Sequence, residues 1–439
     1  MERRQFLTAV SAAAIAAPAI VRGQNLNSNL QLAAIGTGGK GWSDTKEMAT
    51  HDKVRHVAFC DVDTQRALNA QKLQPDAPVF QDYREMLDSM EGKIDAVTVS
   101  TPDHMHAYLT LDAMRRGLHV YCQKPLTHNV WEARQVAKQA KQSGVITRLG
   151  NQIHSHQHYR TAVQAIQSGM IGKVTAVHSW VSAPGHGRSG YLGRPPENEP
   201  VPKTIDWDLW VGVAPMRPFG KLGVYHSFGW RDFQDFGGGA IGDFTCHILD
   251  PVFTALGIQN APTRIQADHI GLNKEVWSAQ NTVFYDFAGT DYTADESLRI
   301  TWYDGGRQPS KKGTHVPDER ALPSSGSLFV GETGSLVLPH VGAMRAYPEA
   351  DFAETDIEVV PSLNHYHGWV DGALSGENPS DGFAYGAVLT ETALLGNVAT
   401  HFRKENLDWD EAAMSFSNRP EANAFLKRDY REGWEIAEV

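Results

Sequence analysis

Three side chains of this sequence have the types and spacing to move protons. Lys124 stands in "GLHVYCQKPLTHN", where the apolar run His119-Val120-Tyr121-Cys122 gives way to an amide, a cation and a proline. A strand buried on both faces does not normally close on a lysine that has no task. Asp243 and His247 stand four residues apart in "GGGAIGDFTCHILD", so a helix brings them to one face. Gathered together, a cation, a carboxylate and a group that titrates near neutral pH form an acid–base set. Taken singly, the same residues fit a surface lysine at a strand end and a helix with a satisfied core histidine.

The elements that must position them alternate from about Leu30. The apolar runs "QLAAIG", "VRHVAFCD", "IDAVTVSTP", "GLHVYCQKP" and "GVITRLGNQ" are separated by helical patterns over 42–51, 82–90, 107–117 and 130–143. Short buried strands joined by helices predict parallel pairing with right-handed crossovers. The expected fold class is therefore α/β, a doubly wound Rossmann sheet over 28–150. After Gly150 the runs "VTAVHSWV", "TVFYDFAG", "SLRITWYDGG" and "SLFVGETGSLVL" predict a mostly antiparallel sheet with one helical layer, an α+β domain over 151–439. The Gly- and Pro-rich stretch 183–217 reads as long loops. Helices are expected over 382–402 and 411–428, and these C-terminal helices are placed to pack back on the first domain.

The first strand runs into "GTGGKG", in which Gly36, Gly38 and Gly41 satisfy G-x-G-x-x-G before a helix, with Thr37 and Gly39 between them. The first glycine permits a tight turn, the second lets backbone approach a pyrophosphate, and the third allows close helix packing. Asp61 ends the second strand, 25 residues after Gly36. A carboxylate there accepts ribose hydroxyls and repels a 2′-phosphate, so NAD(H) is expected over NADP(H). Arg66 nearby keeps NADP(H) in view, and the plain alternative for Asp61 is an acid in a turn. "STPDHMHA" ends the fourth strand on the ligand-binding edge of such a sheet, which places Thr101, Pro102 and His106 there. His154-x-His156-x-His158 has no Cys or carboxylate cluster beside it, and no metal is expected. His154 reads as a contact for sugar hydroxyls or as solvent-exposed. Tyr191, Trp180, His365 and His367 are rim candidates, since aromatic and imidazole groups suit sugar faces.

Composition narrows the partners. With 439 residues, 41% hydrophobic and 21% charged, the chain is long enough for two cores, and its net charge of -11 argues against nucleic acid. The segment "MERRQFLTAVSAAAIAAPAIVRGQ" pairs Arg3-Arg4 with an Ala-rich apolar run and resembles a Tat export signal over 1–23. An uncleaved anchor or a chance arginine pair is the plainer reading of the same residues. Export through the Tat machinery to the periplasm is expected, without stable membrane insertion after cleavage. The three cysteines, Cys60, Cys122 and Cys246, suggest no disulfide framework.

The elements "GTGGKG", "STPDHMHA", "CQKPL", "GNQ" and "GGGAIGDFTCHILD" follow in that order, and together they resemble the Gfo/Idh/MocA family of glucose-fructose oxidoreductase, inositol dehydrogenase and rhizopine-catabolism proteins. The resemblance implies the two domains above and hydride transfer between NAD(P) and a sugar or polyol. It implies that Lys124, in the family's Glu-Lys-Pro position, binds the reacting hydroxyl beside the nicotinamide, and that Asp243 and His247 complete the catalytic and substrate-binding set. His247 is then the expected general base, with Asp250 available to hold its other nitrogen. Asn151 and Gln152 match positions near the nicotinamide amide, and Trp230-Arg231 matches the cofactor–substrate boundary. Pro125 fixes the backbone after Lys124 and accepts a cis peptide bond. Gln123 departs from the family's Glu, and as a neutral neighbour it is expected to support the Lys124 charge less. A homodimer or homotetramer is implied, and a tightly held cofactor suits an exported member. Paired oxidation and reduction, redox-assisted cleavage of a glycoside, and non-catalytic nucleotide or sugar binding are the readings to separate.

Overall fold

The computed structural model of the chain describes residues 29–439; the expected export segment 1–23 lies outside them. The first half alternates strand and helix: β1 (Leu30–Ile35), α1 (Lys40–Met48), β2 (Val54–Cys60), α2 (Thr64–Leu73), β3 (Val79–Phe80) and α3 (Tyr83–Ser89). It continues with β4 (Ala96–Val99), α4 (Asp103–Arg115), β5 (His119–Gln123), α5 (Val130–Ser143) and β6 (Thr147–Gly150). These six strands form one parallel sheet in the order β3-β2-β1-β4-β5-β6. The order reverses between β1 and β4, so the glycine loop after β1 and the loop after β4 face one crevice. Helix α5 spans the 130–143 of the sequence pattern because both ends are signed. Asn129 and Glu132 form a capping box at its start, and Gly144 (φ 65°) takes the left-handed conformation at its end.

The second half opens with α6 (Gln157–Gln167), β7 (Val174–Val181), α7 (Trp207–Val211), α8 (Gly239–Leu256), β8 (Arg264–Ile270), β9 (Gln280–Ala288) and β10 (Ser297–Tyr303). Then come β11 (Ser325–Gly331), β12 (Ser335–Pro339), β13 (Arg345–Tyr347), α9 (His365–Ser375), α10 (Phe383–Thr400), β14 (Leu407–Asp410) and β15 (Ser415–Phe416). The strands make one nine-stranded open sheet, antiparallel except where β7 pairs with β10. Alternate residues of β9 are buried, as one covered face requires. Helix α8 lies over that face and carries Asp243 and His247. Helices α9 and α10 lie against the parallel sheet: Tyr366 and Trp369 pack on Tyr121. Thr390 Oγ1 accepts the Leu126 N–H at 3.1 Å.

The helix expected over 411–428 does not form. A turn with Met414 at φ 49° leads into β15, and Pro420 opens a short 3-10 helix over Pro420–Phe425. Proline at that point and the pairing of β15 with β14 override the local helical composition. All three cysteines are buried and free, and Lys124-Pro125 is a cis peptide. Among the described residues no helix is long and apolar enough to cross a membrane.

Candidate active site

A cavity of ≈ 650 Å³ runs along the carboxyl edge of the parallel sheet. Gly36, Gly38, Gly39, Asp61, Thr101 and Pro102 line one side; Trp210, His226, Trp230 and Arg231, from the segment after β7, line the other. The glycine loop is shaped for close approach. Gly36 has φ +78°, and a Cβ there would sit 2.7 Å from the Ser100 carbonyl oxygen. A Cβ on Gly41 would fall 1.8 Å from the Gly36 oxygen, so α1 can abut the turn only without one. Thr37 points inward, and its N–H (2.8 Å) and Oγ1 (3.3 Å) donate to Asp61 Oδ2, while the Asp63 N–H donates to Oδ1 at 3.0 Å. Burial pushes the Asp61 carboxyl up, opposed by those two backbone donors and by Arg66 and His226. Arg66 lies over Gly38, whose absent Cβ would meet its Nε at 2.1 Å. A glycine turn, the free N-terminus of α1 and a carboxylate at the end of β2 fit a dinucleotide.

At the far end of the cavity Lys124 leaves β5 and meets α8. Its Nζ donates to the Asp243 carboxylate at 2.5 Å and to the Asp243 carbonyl at 2.6 Å. Arg188 Nη2 lies 3.0 Å from the other carboxylate oxygen, and Arg231 Nε 3.6 Å from it. Arg231 is itself sandwiched by Trp230 and Phe228, 4.1 and 4.8 Å from the ring centres. Burial alone would push the Asp243 carboxyl up, but Lys124, Arg231 and Arg188 hold it well below the ordinary carboxylate range.

His247, one turn along α8, also lines the cavity. Its Nδ1 contacts Asn151 Oδ1. The amide orientation of Asn151 follows from its other end, which donates to Asp250 Oδ2 at 2.7 Å and to the Cys246 carbonyl at 3.0 Å. The amide oxygen therefore accepts, Nδ1 carries the hydrogen, and Nε2 keeps a lone pair. Burial first, and then the charge of Lys124, hold the imidazole well below its ordinary value, so it is neutral, with Nε2 unprotonated. This places two residues differently from expectation. Asn151 does not face the nucleotide cavity but stands fully buried behind His247. Asp250 reaches His247 only through Asn151.

Other expectations are displaced as well. Gln123 lines the cavity, but its Nε2 donates to Asp44 at 2.9 Å, away from Lys124. His106 lines the cavity as expected, with both ring nitrogens near carbonyls, Pro125 at 2.7 Å and Thr101 at 2.9 Å. Gln152 remains on the cavity wall, held by the Tyr121 hydroxyl at 2.6 Å. His154 lies outside it: Nδ1 is 3.0 Å from Asp250 and Nε2 3.0 Å from Ser380. Tyr191 packs beside Lys221 and the Trp207–Trp210 cluster, also off the cavity. Trp180 is buried against Pro323, His365 against Ser155, and His367 reaches Thr50. Among the described residues no group of three or more His, Cys, Asp or Glu is placed to hold a metal ion. Sequence reasoning missed Arg188, in a loop without periodicity, and Asp103, which lines the cavity at the start of α4. Burial raises the Asp103 carboxyl to about 7 against the pull of Arg231. Its place in "STPDHMHA" was the available signal.

A parallel sheet with a glycine cradle, joined to an open sheet whose helix α8 faces the cavity, defines a two-domain dinucleotide-binding architecture. The sequence matches the Gfo/Idh/MocA patterns for an oxidoreductase with an NAD-binding Rossmann fold over residues 30–151 and for its C-terminal alpha/beta domain over 160–292. The chain belongs to this family. A 1,5-anhydro-D-fructose reductase of Ensifer adhaerens is 35% identical over 141 residues, 31% of this chain and 42% of that protein. A glycosyl hydrolase family 109 protein of Stenotrophomonas maltophilia is 28% identical over 188 residues, 40% of each chain. The chain thus spans less than half the length of these curated relatives. The WlbA dehydrogenase of Bordetella pertussis, solved with NADH and UDP-GlcNAcA, has the same fold, with a TM-score of 0.59 at 16% identity over 87% of this chain and 99% of that one.

Proposed function

We propose that the protein interconverts a secondary alcohol and a ketone of a sugar, glycoside or polyol with tightly held NAD(H), NADP(H) being the lesser alternative. The observation that carries this reading is the meeting of Lys124, Asp243 and a neutral His247 at one end of a glycine-cradled cavity. A nicotinamide nucleotide bound there would exchange hydride with the carbinol carbon. Gly36, Gly38, Asp61 and the start of α1 would hold its adenosine diphosphate part, with Trp230 and Arg231 covering it. Two of the three Lys124 donors are spent on Asp243, which leaves one for a substrate oxygen. Oxidation makes the hydroxyl proton acidic, and His247 Nε2 is the lone pair positioned to accept it. Lys124 then faces the oxygen as negative charge builds there. Asp243 keeps the ammonium in place.

The chain's likeness to a glycosyl hydrolase family 109 protein supports a second reading, in which reversible oxidation acidifies a neighbouring C–H and permits loss of an aglycone. Mass spectrometry of nucleotide released on denaturation, followed by a carbohydrate panel with an added acceptor, tests the first reading. Stoichiometric NADH with intact glycoside would exclude the second; cleavage without net NADH would establish it. A non-catalytic binding protein is the third reading: nucleotide or sugar binding with no turnover across the panel would establish it, and turnover unchanged in Lys124→Ala would instead remove Lys124 from the catalytic set. We place the protein in the periplasm after Tat export, as a homodimer or homotetramer joined through the open sheet. Fractionation of the native host and light scattering test those two statements.

A further inference from the structure

Asp44, one turn into α1, is fully buried, and four donors from separate parts of the chain converge on it. Oδ1 receives Lys40 Nζ at 2.5 Å and the Tyr366 hydroxyl at 2.9 Å. Oδ2 receives Ser100 Oγ at 2.8 Å and Gln123 Nε2 at 2.9 Å. Lys40 also donates to the Tyr366 oxygen at 2.8 Å, and it stands on the cavity wall within the glycine loop motif. The cluster ties α1, the ends of β4 and β5, and α9 to one anion. The Gln123 amide lies against Gly150, in space that only a glycine leaves open: a Cβ there would fall 2.8 Å from its Nε2. A Glu at 123 would set its second oxygen where Nε2 stands, against the buried Asp44 carboxylate. Two carboxylates that close do not both ionise.

We propose that Gln123 and Asp44 are a matched pair, an anion at 44 answered by a neutral donor at 123, and that together they are positioning residues for Lys40 on the nucleotide cavity. The departure from Glu-Lys-Pro is then the counterpart of Asp44 and not an adjustment of Lys124. The binding half of this proposal rests on the nucleotide reading above; the pairing stands on the geometry alone. The test uses the full chain, freed of bound nucleotide, as wild type, Gln123→Glu, Asp44→Asn and the double variant. NADH titration and the thermal unfolding midpoint are measured for each. Each single variant is expected to bind NADH roughly tenfold more weakly, one pKa unit's worth of mispaired charge, and to unfold at lower temperature. The double variant, which moves the carboxylate from 44 to 123, is expected to return to within about threefold of wild type. A wild-type Gln123→Glu, or a double variant showing the summed losses of both singles, would overturn the pair. If Gln123→Glu does not fold, a folded double variant upholds the pair and an unfolded one overturns it. Neither readout involves sugar turnover, and the unfolding arm decides the pairing even if wild type fails to bind NADH.

Discussion

Asp243 and Asp44 both lie beside the cavity, and the company each keeps differs. Asp243 is one carboxylate facing three cations, Lys124, Arg188 and Arg231, with a neutral imidazole on the same helix. Asp44 faces one cation, and its other donors are an amide and two hydroxyls. Arg188 also lies 3.7 Å from the buried Asp232, so three cations stand against two carboxylates, and the remaining positive charge at the cavity wall favours an oxygen gaining negative charge. The second is balanced and closed, and it holds elements together. Within one cavity, imbalance marks the place for chemistry and balance marks the frame.

The largest effect should come from emptying the unbalanced cluster. Lys124→Ala is expected to lower turnover of a responsive sugar by roughly 10²–10⁴-fold while NADH still binds. His247→Ala should fall in the same range, measured as initial NADH formation. Because the folded imidazole sits well below its ordinary value, protonation removes the base only below about pH 6.5. The acid limb of kcat/KM should therefore lie under that pH; a limb centred above 7 would mean that another group is the base. Asn151→Leu removes the acceptor that fixes the His247 tautomer. It should cost about tenfold to 10²-fold in kcat with little change in KM, and equal losses in both would make the residue structural only.

Asp103 offers a pH test on stability. Its folded carboxyl is raised to about 7 from the ordinary 3.8. The stability it lends is present below the unfolded value and is lost as pH rises from about 4 through 7. Asp103→Asn should flatten that decline by at least roughly 1.4 kcal/mol, read from chemical denaturation at pH 5 and pH 8. The smallest effect is expected off the cavity altogether, where Tyr191→Phe should change kcat/KM by less than about twofold. A large loss there would extend the substrate site beyond the two clusters.

The parallel sheet was legible because its strands are short buried runs and its glycines stand where the turn after β1 requires them. Helix α5 was legible to the residue because its caps are local. The partnerships of the site were not. Asn151 meets His247 across 96 residues, Lys124 meets Asp243 across 119, and Tyr366 meets Asp44 across 322. No periodicity records such pairings. Gln123 misled for a simpler reason: neighbours at a strand end point to opposite sides, so adjacency to Lys124 implied nothing about contact. Tyr191 and His154 have the side chains of sugar contacts, but type says nothing of which surface a loop presents.

Trp434 completes the cavity wall, packed on Tyr108 at 5.3 Å and under Arg84 at 4.7 Å. Trp210, His226 and Trp230 supply much of the rest, all of them made long after the glycine cradle. During synthesis the ribosome therefore delivers the cradle first and its cover last. The wall that faces the glycine cradle is therefore complete only when the far end of the described chain has folded back onto Tyr108 and Arg84.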